Sequence, residues 1–506
     1  MKLDIFSILQ QAASRHPDNV ALVDGERRFT YAQVLDRTRG LARHLASQGI
    51  RPGDRVSIIE DNSHVFFEAY FATAALGAIL NPLNTRLAAP EISAILDDAG
   101  SRFLIAGERF NQSLKSPLEG VLCTGEPYEQ ALEPGGGDFD PVPVKAEDVA
   151  QLYYTSGTTG HPKGVMLTHK NVCLHAQAAV EELELTGSDV WGHIAPMFHL
   201  ADAWATFAIT SVSGCHVMVR QFDPEKVMRV IEGERVTISN LIPTMLNLMT
   251  KHPRVADFDF SSLRVLLSGG APIAPEVVKS TMQAFGCDYI QTYGMTETSP
   301  YLTVSILKEN LQHLPPDEQL VFKAKTGRPF KSVELKVVDE KGNEIAPDGK
   351  QVGEIRVKGE TVTPGYWNKP EETRAAFEDG WLCTGDLAVV DREGYVNIVD
   401  RKKDMIVTGG ENVYSTEVEN VLYLHPAVLE AAVFGVPDEK WGEAVRAAVV
   451  LKPGFAASPE EIIAFCRENL AAYKTPKRVD FLGELPKTGS GKISKKSLRE
   501  SFGGIE

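Results

Sequence analysis

From residue 30 to residue 106 the chain alternates stretches of helical period with short apolar strands, and few architectures accept that pattern. The segment "TYAQVLDRTRGLARHLASQG" (30–49) opens on a capping box, Thr30 with Gln33, carries apolar residues at helical spacing and closes at Gly49. "RVSIIE" follows as a strand, then a helix around Glu68, then "GAILNPLN", "EISAILDDAG" and "RFLIA". Such alternation predicts layered α/β structure. The rhythm pauses at a Gly/Pro-rich loop, "LEPGGGDFDPVPV" (132–144), and resumes. There "LRVLLSGG" reads as a buried strand ending in a glycine turn, "APEVVKSTMQAFG" as a helix with Pro275 near its start, and "DYIQTYG" as a strand.

From about residue 330 short strands separated by glycine turns, "VELKVVDE", "GEIRVKG" and "GYVNIVD", predict a β-rich subdomain. After "DRKKDMIVTGG" the last hundred or so residues carry their own set of elements: helix, two strands, helix and the basic tail "KTGSGKISKKSLRE". The expected fold class is α/β. It comprises a large N-terminal domain, 1–400, of layered α/β subdomains plus the β-rich one, and a small mobile α+β C-terminal domain, 401–506. A chain of 506 residues exceeds one ordinary core, so more than one domain is required.

Charge narrows the partners. With 52 basic against 68 acidic side chains the net charge is −16, which argues against nucleic acid as a ligand. The six cysteines lie far apart with no CxxC pair, which suggests neither a zinc cage nor a disulfide framework. The start "MKLDIFSILQQAASRHP" does not read as a signal peptide. The apolar run "VFFEAYFATAALGAIL" is broken by Glu68, leaving about 12 uncharged residues against the ~20 needed to span a bilayer. It reads as a buried helix, and the protein as cytoplasmic with no integral membrane segment.

The densest chemistry lies in "YYTSGTTGHPKG" (153–164). Gly157, Gly160 and Gly164 permit close backbone approach, while Thr155, Ser156, Thr158 and Thr159 supply hydroxyls beside backbone N–H groups, the equipment for gripping phosphate oxygens. Pro162 occupies the place of the second glycine of a Walker A loop, so this is not an ordinary P-loop NTPase. Lys163 can still set a positive charge beside a polyphosphate.

Together with "QTYGMTET" (291–298), "GYWNKPEET" and "WLCTGD" (365–386), "DRKKDMIVTGGENVYSTEVE" (400–419) and "LPKTGSGK" (485–492), this segment resembles the core motifs of the adenylate-forming superfamily. The group includes acyl-CoA synthetases, peptide-synthetase adenylation domains and beetle luciferases. The ordered set covers roughly residues 20 to 500 and is most similar to short- and medium-chain acyl-CoA synthetases. The resemblance implies a ligase using ATP, Mg²⁺ and coenzyme A: a carboxylate attacks the α-phosphate to give acyl-AMP and pyrophosphate, and a thiol then displaces AMP.

By that resemblance Tyr293, followed by Gly294, offers an aromatic face to adenine, Thr296 a hydroxyl near the α-phosphate, and Glu297 a hard oxygen ligand for Mg²⁺. Gly269, Gly270 and Ala271 of "SGGAP" match the loop along which adenine slides. Asp386 matches the ribose ligand, its two oxygens suited to adjacent hydroxyls. Arg401 lies on the nucleotide side of the hinge and Lys403 at the pivot. Lys492 matches the lysine that the small domain delivers to the first half-reaction. Gly409 and Gly410 match the strip that faces the pantetheine arm after rotation.

"HIAPMFHLADAWATF" (193–207) and "SNLIPTML" (239–246) resemble the acyl-pocket segments. His199 matches a residue near the reacting carboxylate and the thiol entrance. Met197, Trp204, Phe207, Ile242 and Met245 are the expected apolar wall. These segments hold no Lys or Arg, and Asp202 is their obvious carboxylate, so a second ionic group on the acid would lack a partner. A monocarboxylic acid of short or medium chain is expected, Trp204 shortening the pocket. The alternatives are an aryl acid-CoA ligase, an adenylation enzyme loading a separate carrier protein, and a silent nucleotide-binding protein on this fold. The pattern Pro, four residues, Gly, Lys in "PKTGSGK" resembles the surroundings of acetylated lysines in related synthetases, which makes a lysine acetyltransferase acting on Lys492 a partner; a homodimer is left open.

Overall fold

The computed structural model describes residues 2–110, 118–133, 139–155, 162–270, 273, 275–488 and 493–502. Nine strands form one sheet in the order Arg328–Pro329, Tyr301–Val304, Asp288–Gly294, Val265–Gly269, Ile238–Asn240, Val190–His193, Cys215–Met218, Val20–Asp24, Arg27–Thr30. Its interior is parallel and its edges antiparallel. A second sheet runs Gly120–Cys123, Ser101–Ala106, Arg55–Ile59, Ile79–Pro82, Val149–Thr155, Lys163–Thr168, parallel until its final hairpin.

A third, antiparallel sheet holds Val333–Val338, Gly353–Gly359, Phe377–Glu378, Trp381–Val390 and Val396–Arg401. The fourth contains Ile406–Thr408, Glu411–Val413, Val428–Asp438, Gly442–Leu451 and Arg478–Phe481, with its own apolar core around Val433, Val445 and Ile462. The expected mixed α/β class, with a large N-terminal and a small C-terminal domain, is the architecture observed. The basic tail departs from the sequence reading. Residues Lys495–Phe502 form a helix whose Leu498 is buried against Phe434 and Leu485, because one apolar residue per turn suffices to dock so short an element.

Local signals explain the helices near the chain start. In Tyr31–Ser47 the Gln33 side chain accepts from the Thr30 N–H at 2.8 Å while the Thr30 hydroxyl accepts from the Gln33 N–H, so two N-terminal donors are met. The helix His64–Leu76 has all thirteen residues buried. It contributes to the core shared with Leu22, Val56, Tyr153 and Phe207. No helix among the described residues is long and apolar enough to cross a membrane.

Glu68 sits inside this helix with no exposed side-chain surface, and burying a lone carboxylate is costly. Arg37 Nε meets its Oε1 at 2.6 Å and the Tyr128 hydroxyl donates to Oε2 at 2.5 Å. Glu129 pairs with the same guanidinium at 2.7 Å. Although burial works against its charge, Arg37 is held above its usual range by these two carboxylates. Replacing Arg37 with Met should therefore lower stability by about 3–5 kcal/mol, because an uncompensated charge is left inside. Urea unfolding followed by circular dichroism checks this, and adding Glu68→Gln should recover part of the loss.

Candidate functional site

The hydroxyl- and glycine-rich segment tips an antiparallel hairpin, Val149–Thr155 with Lys163–Thr168, in which Thr155 stands opposite Lys163. Ser156, Gly157, Thr158, Thr159 and Gly160 lie outside the described residues. A strand leading back into a strand differs from the strand-to-helix turn of a P-loop, in keeping with the glycine missing at Pro162. Near the connecting end of the hairpin the Tyr154 hydroxyl donates to Asp98 at 2.7 Å and Lys369 Nζ meets the same carboxylate at 3.0 Å. The "GYWNKPEET" segment lies along the second strand. The Met166 N–H donates to the Gly365 carbonyl at 3.1 Å and the Trp367 N–H to the Gly164 carbonyl at 2.8 Å. Lys163 Nζ lies 5.3 Å from the centre of the Tyr366 ring.

The strand Asp288–Gly294 ends in a bulge at Tyr293/Gly294 followed by a tight turn over Thr296–Thr298. A Cβ at Gly294 would lie 1.9 Å from the Pro300 carbonyl oxygen, so only glycine lets the two strands close here. Glu297 is 7% exposed, and its Oε1 accepts from the Tyr366 hydroxyl at 3.0 Å. Burial pushes this carboxyl up from its ordinary value. One strand over, a Cβ at Gly269 would lie 2.5 Å from Thr292 Oγ1, and Gly270 takes a φ of +87°. Ala271 lies outside the described residues.

The Tyr293 hydroxyl donates to Asp386 Oδ2 at 2.7 Å. Burial, and then the Asp386 charge, push that phenol well above its ordinary range. Arg401, paired with Asp386 across neighbouring strands, brings Nε to 3.3 Å from Oδ1. Both carboxylate oxygens thus already have protein partners, which the sequence reading of a bare ribose ligand did not include. Each oxygen keeps a second lone pair for a further donor.

His199 caps the helix Leu200–Ser211, its Nδ1 accepting the Ala201 N–H at 3.1 Å, which requires that nitrogen to be unprotonated. Asn62 fixes the approach to it: its amide donates to the His193 and Ala195 carbonyls and its oxygen accepts from the Met197 N–H, each at 2.8 Å. Trp204 is 1% exposed, its ring against Trp191, His175 and Tyr301. Phe207 packs on Tyr70 and Phe71, so it belongs to the core beneath. Ile242 and Met245 pack in a different apolar cluster from Trp204. The Ala201 carbonyl accepts from both Trp204 Nε1 and Asn240 Nδ2, which ties Trp204 to the strand that leads into Ile242. Asp202 is held by His193 Nδ1 at 2.5 Å and Trp191 Nε1 at 3.2 Å, with no exposed surface.

In the C-terminal domain Gly409 and Gly410, φ +60° and +83°, turn the hairpin Ile406–Thr408 to Glu411–Val413, and Gly409 lies against the Trp441 ring. Among the described residues no hydrogen bond or ion pair joins this turn to the Glu297 and Asp386 groups. Lys403 is exposed between the third and fourth sheets. Lys492 lies outside the described residues. Tyr366 and Asn62 carry no role in the sequence reading. Tyr366 stands inside a quoted motif and could have been singled out; Asn62, in a plain turn, gives no signal.

A family model described as AMP-binding enzyme matches residues 9–367, and one described as AMP-binding enzyme C-terminal domain matches residues 417–492. The chain is 38% identical to a feruloyl-CoA synthase of Amycolatopsis sp over 97% of each. It is 37% identical to a long-chain-fatty-acid–CoA ligase of Thermus thermophilus, over 99% of this chain and 96% of that one. The crystal structure of ATP-bound MatB from Rhodopseudomonas palustris superposes with a TM-score of 0.91 at 29% identity, covering 100% of both chains.

Gly294→Ala tests the site's geometry. The added Cβ must part the bulge from Pro300 and move Tyr293 relative to Asp386, so kcat/KM for ATP should fall on the order of 10²-fold while circular dichroism stays native.

Proposed function

Since the chain belongs to the AMP-binding enzyme family, we propose that it is an acyl-CoA synthetase for a compact monocarboxylic acid of short or medium chain, working through acyl-AMP. Its family and relatives make it an acid–CoA ligase that uses ATP and CoA. The observation that supports the ATP-dependent part of this reading is two sets of contacts between residues of separate motifs. Lys163 lies over Tyr366, Tyr366 donates to Glu297, and Tyr293 in the same turn region donates to Asp386, which pairs with Arg401. Residues from four distant motifs thereby converge as one nucleotide would require.

In this reading Gly269, Gly270, Ala271, Tyr293 and Gly294 hold adenine, and Asp386 with Arg401 holds the ribose. Thr155, Ser156, Gly157, Thr158, Thr159, Gly160 and Lys163 take the phosphates. Among the described residues no three His, Cys, Asp or Glu side chains gather as a metal cage. A single buried carboxylate fits Mg²⁺, which keeps waters and phosphate oxygens as its other ligands. Glu297 would hold that ion, which neutralises phosphate charge when bound. Thr296 and His199 flank the reacting groups, His199 as a neutral imidazole.

The acid's carboxylate oxygen bonds to the α-phosphorus, the bond from that phosphorus to the bridging oxygen breaks, and pyrophosphate leaves. Negative charge builds between the two reactants, and the Lys492 ammonium stabilises it. Rotation about Lys403 then removes Lys492 and brings Gly409 and Gly410 to the site. The CoA sulfur attacks the acyl carbon and AMP leaves. Acetylation of Lys492 would remove the charge on which the first step depends.

Relatives of nearly equal similarity bear the names of an aryl acid and of long-chain fatty acids, so the acid is argued from the pocket. Asp202 is engaged by His193 and Trp191, and the pocket segments hold no Lys or Arg, which favours a single carboxylate. Trp204, anchored through Nε1 and tilted against Tyr301 with ring centres 5.1 Å apart, favours a shallow pocket walled by Ile242 and Met245. A second reading, a flat aryl acid, is favoured by those same two rings and by the feruloyl-CoA synthase relative.

AMP release with and without CoA over propionate, butyrate, hexanoate, octanoate, palmitate, benzoate and coumarate separates the readings. CoA-dependent turnover should peak from butyrate to octanoate; turnover confined to benzoate and coumarate selects the aryl reading, and pyrophosphate release without CoA dependence selects a carrier protein as acceptor. Lys492→Gln should slow acyl-AMP formation by about 10²–10³-fold while leaving thioester formation from supplied acyl-AMP intact.

A further inference from the structure

We propose that Tyr366 is a positioning residue that keeps Lys163 and Glu297 apart and correctly aimed, so that the lysine stays available to phosphate and the carboxylate to the metal. This rests on the reading of those two residues given above. A lysine near a buried carboxylate ordinarily collapses into an ion pair, and a pair so formed would withdraw both charges from an incoming metal–nucleotide complex. Among the described residues no carboxylate forms an ion pair with Lys163. Its ammonium instead lies 5.3 Å from the centre of the Tyr366 ring, while the hydroxyl at the far end of that ring donates to Glu297 Oε1 at 3.0 Å. One rigid side chain therefore meets both charged groups, its ring beneath the ammonium and its hydroxyl on the carboxylate.

The backbone around Tyr366 is fixed on every side, as a positioning residue needs. Its N–H donates to Thr373 Oγ1 at 2.9 Å, and it forms an antiparallel bridge with Val165, two residues from Lys163. The flanking Gly365 and Trp367 bond to Met166 and Gly164 of the same strand. Gly365 takes a φ of +140°, and a Cβ there would lie 2.4 Å from Thr373 Cγ2. Three residues before Tyr366, the Thr363 N–H donates to the Glu297 carbonyl at 2.7 Å. One short segment thus holds the Glu297 backbone, the Glu297 side chain and the strand that carries Lys163.

Two variants separate the functions of ring and hydroxyl. Tyr366→Phe keeps the ring under Lys163 and releases Glu297; Tyr366→Leu removes both contacts. Mn²⁺ binding to the full-length enzyme with ATP, read by electron paramagnetic resonance of free Mn²⁺, should weaken about tenfold or more in Tyr366→Phe, with KM for the acid unchanged. Tyr366→Leu should weaken Mn²⁺ as much and also raise the KM for ATP beyond that of Tyr366→Phe. Unchanged Mn²⁺ affinity in Tyr366→Phe, alongside weakened affinity in Glu297→Gln, overturns the role of Tyr366 alone. Unchanged affinity in Glu297→Gln overturns the assignment of Glu297 on which it rests.

Discussion

A helix buried on every side has to be accommodated before two α/β layers can share a core. The segment His64–Leu76 meets that demand with aromatic and alanine side chains, and with one carboxylate that the interior tolerates only because Arg37 and Tyr128 reach it. The pair ties the helix to Tyr31–Ser47 and to the neighbouring Glu126–Leu132 helix. Tyr70, from the same buried helix, bonds to the Tyr153 hydroxyl and to the Met197 carbonyl. The hairpin that carries Lys163 and the approach to His199 are thereby referred to one common body. The geometry of the site descends from this placement.

Much of the architecture is legible from local rules. The capping box at Thr30, the buried helix around Glu68, Pro275 at the start of its helix and the glycine-punctuated strands after residue 330 each appear where the residues imply. Shorter parallel strands, Val190–His193 and Ile238–Asn240, are set by neighbours on both sides and leave little periodicity to read. The helix at Lys495–Phe502 shows only one buried apolar residue, Leu498, and so resembles a charged tail.

The site was legible by type more than by partnership. The motifs single out Glu297, Asp386 and Lys163 as candidates, and the family matches agree with the family those motifs suggest. What spacing does not contain is that Asp386 already binds Tyr293 and Arg401, or that Asp202 is spent on His193 and Trp191. Those are long-range pairings, made by strands that meet only after folding. Relatives of similar identity bear the names of ligases for different acids, so the choice of acid is not contained in the architecture.

The hairpin that carries Lys163 has an evolutionary corollary. Since Lys163 belongs to a strand and stands opposite Thr155, its facing is governed by parity: adding or deleting one residue in its own strand, unless a bulge absorbs the change, would turn the ammonium to the opposite side of the sheet. Lineages descending from this chain are therefore held, in the strand that carries Lys163, to changes of two residues or to a one-residue change absorbed by a bulge, as at the Val149/Gln151 register shift of the partner strand.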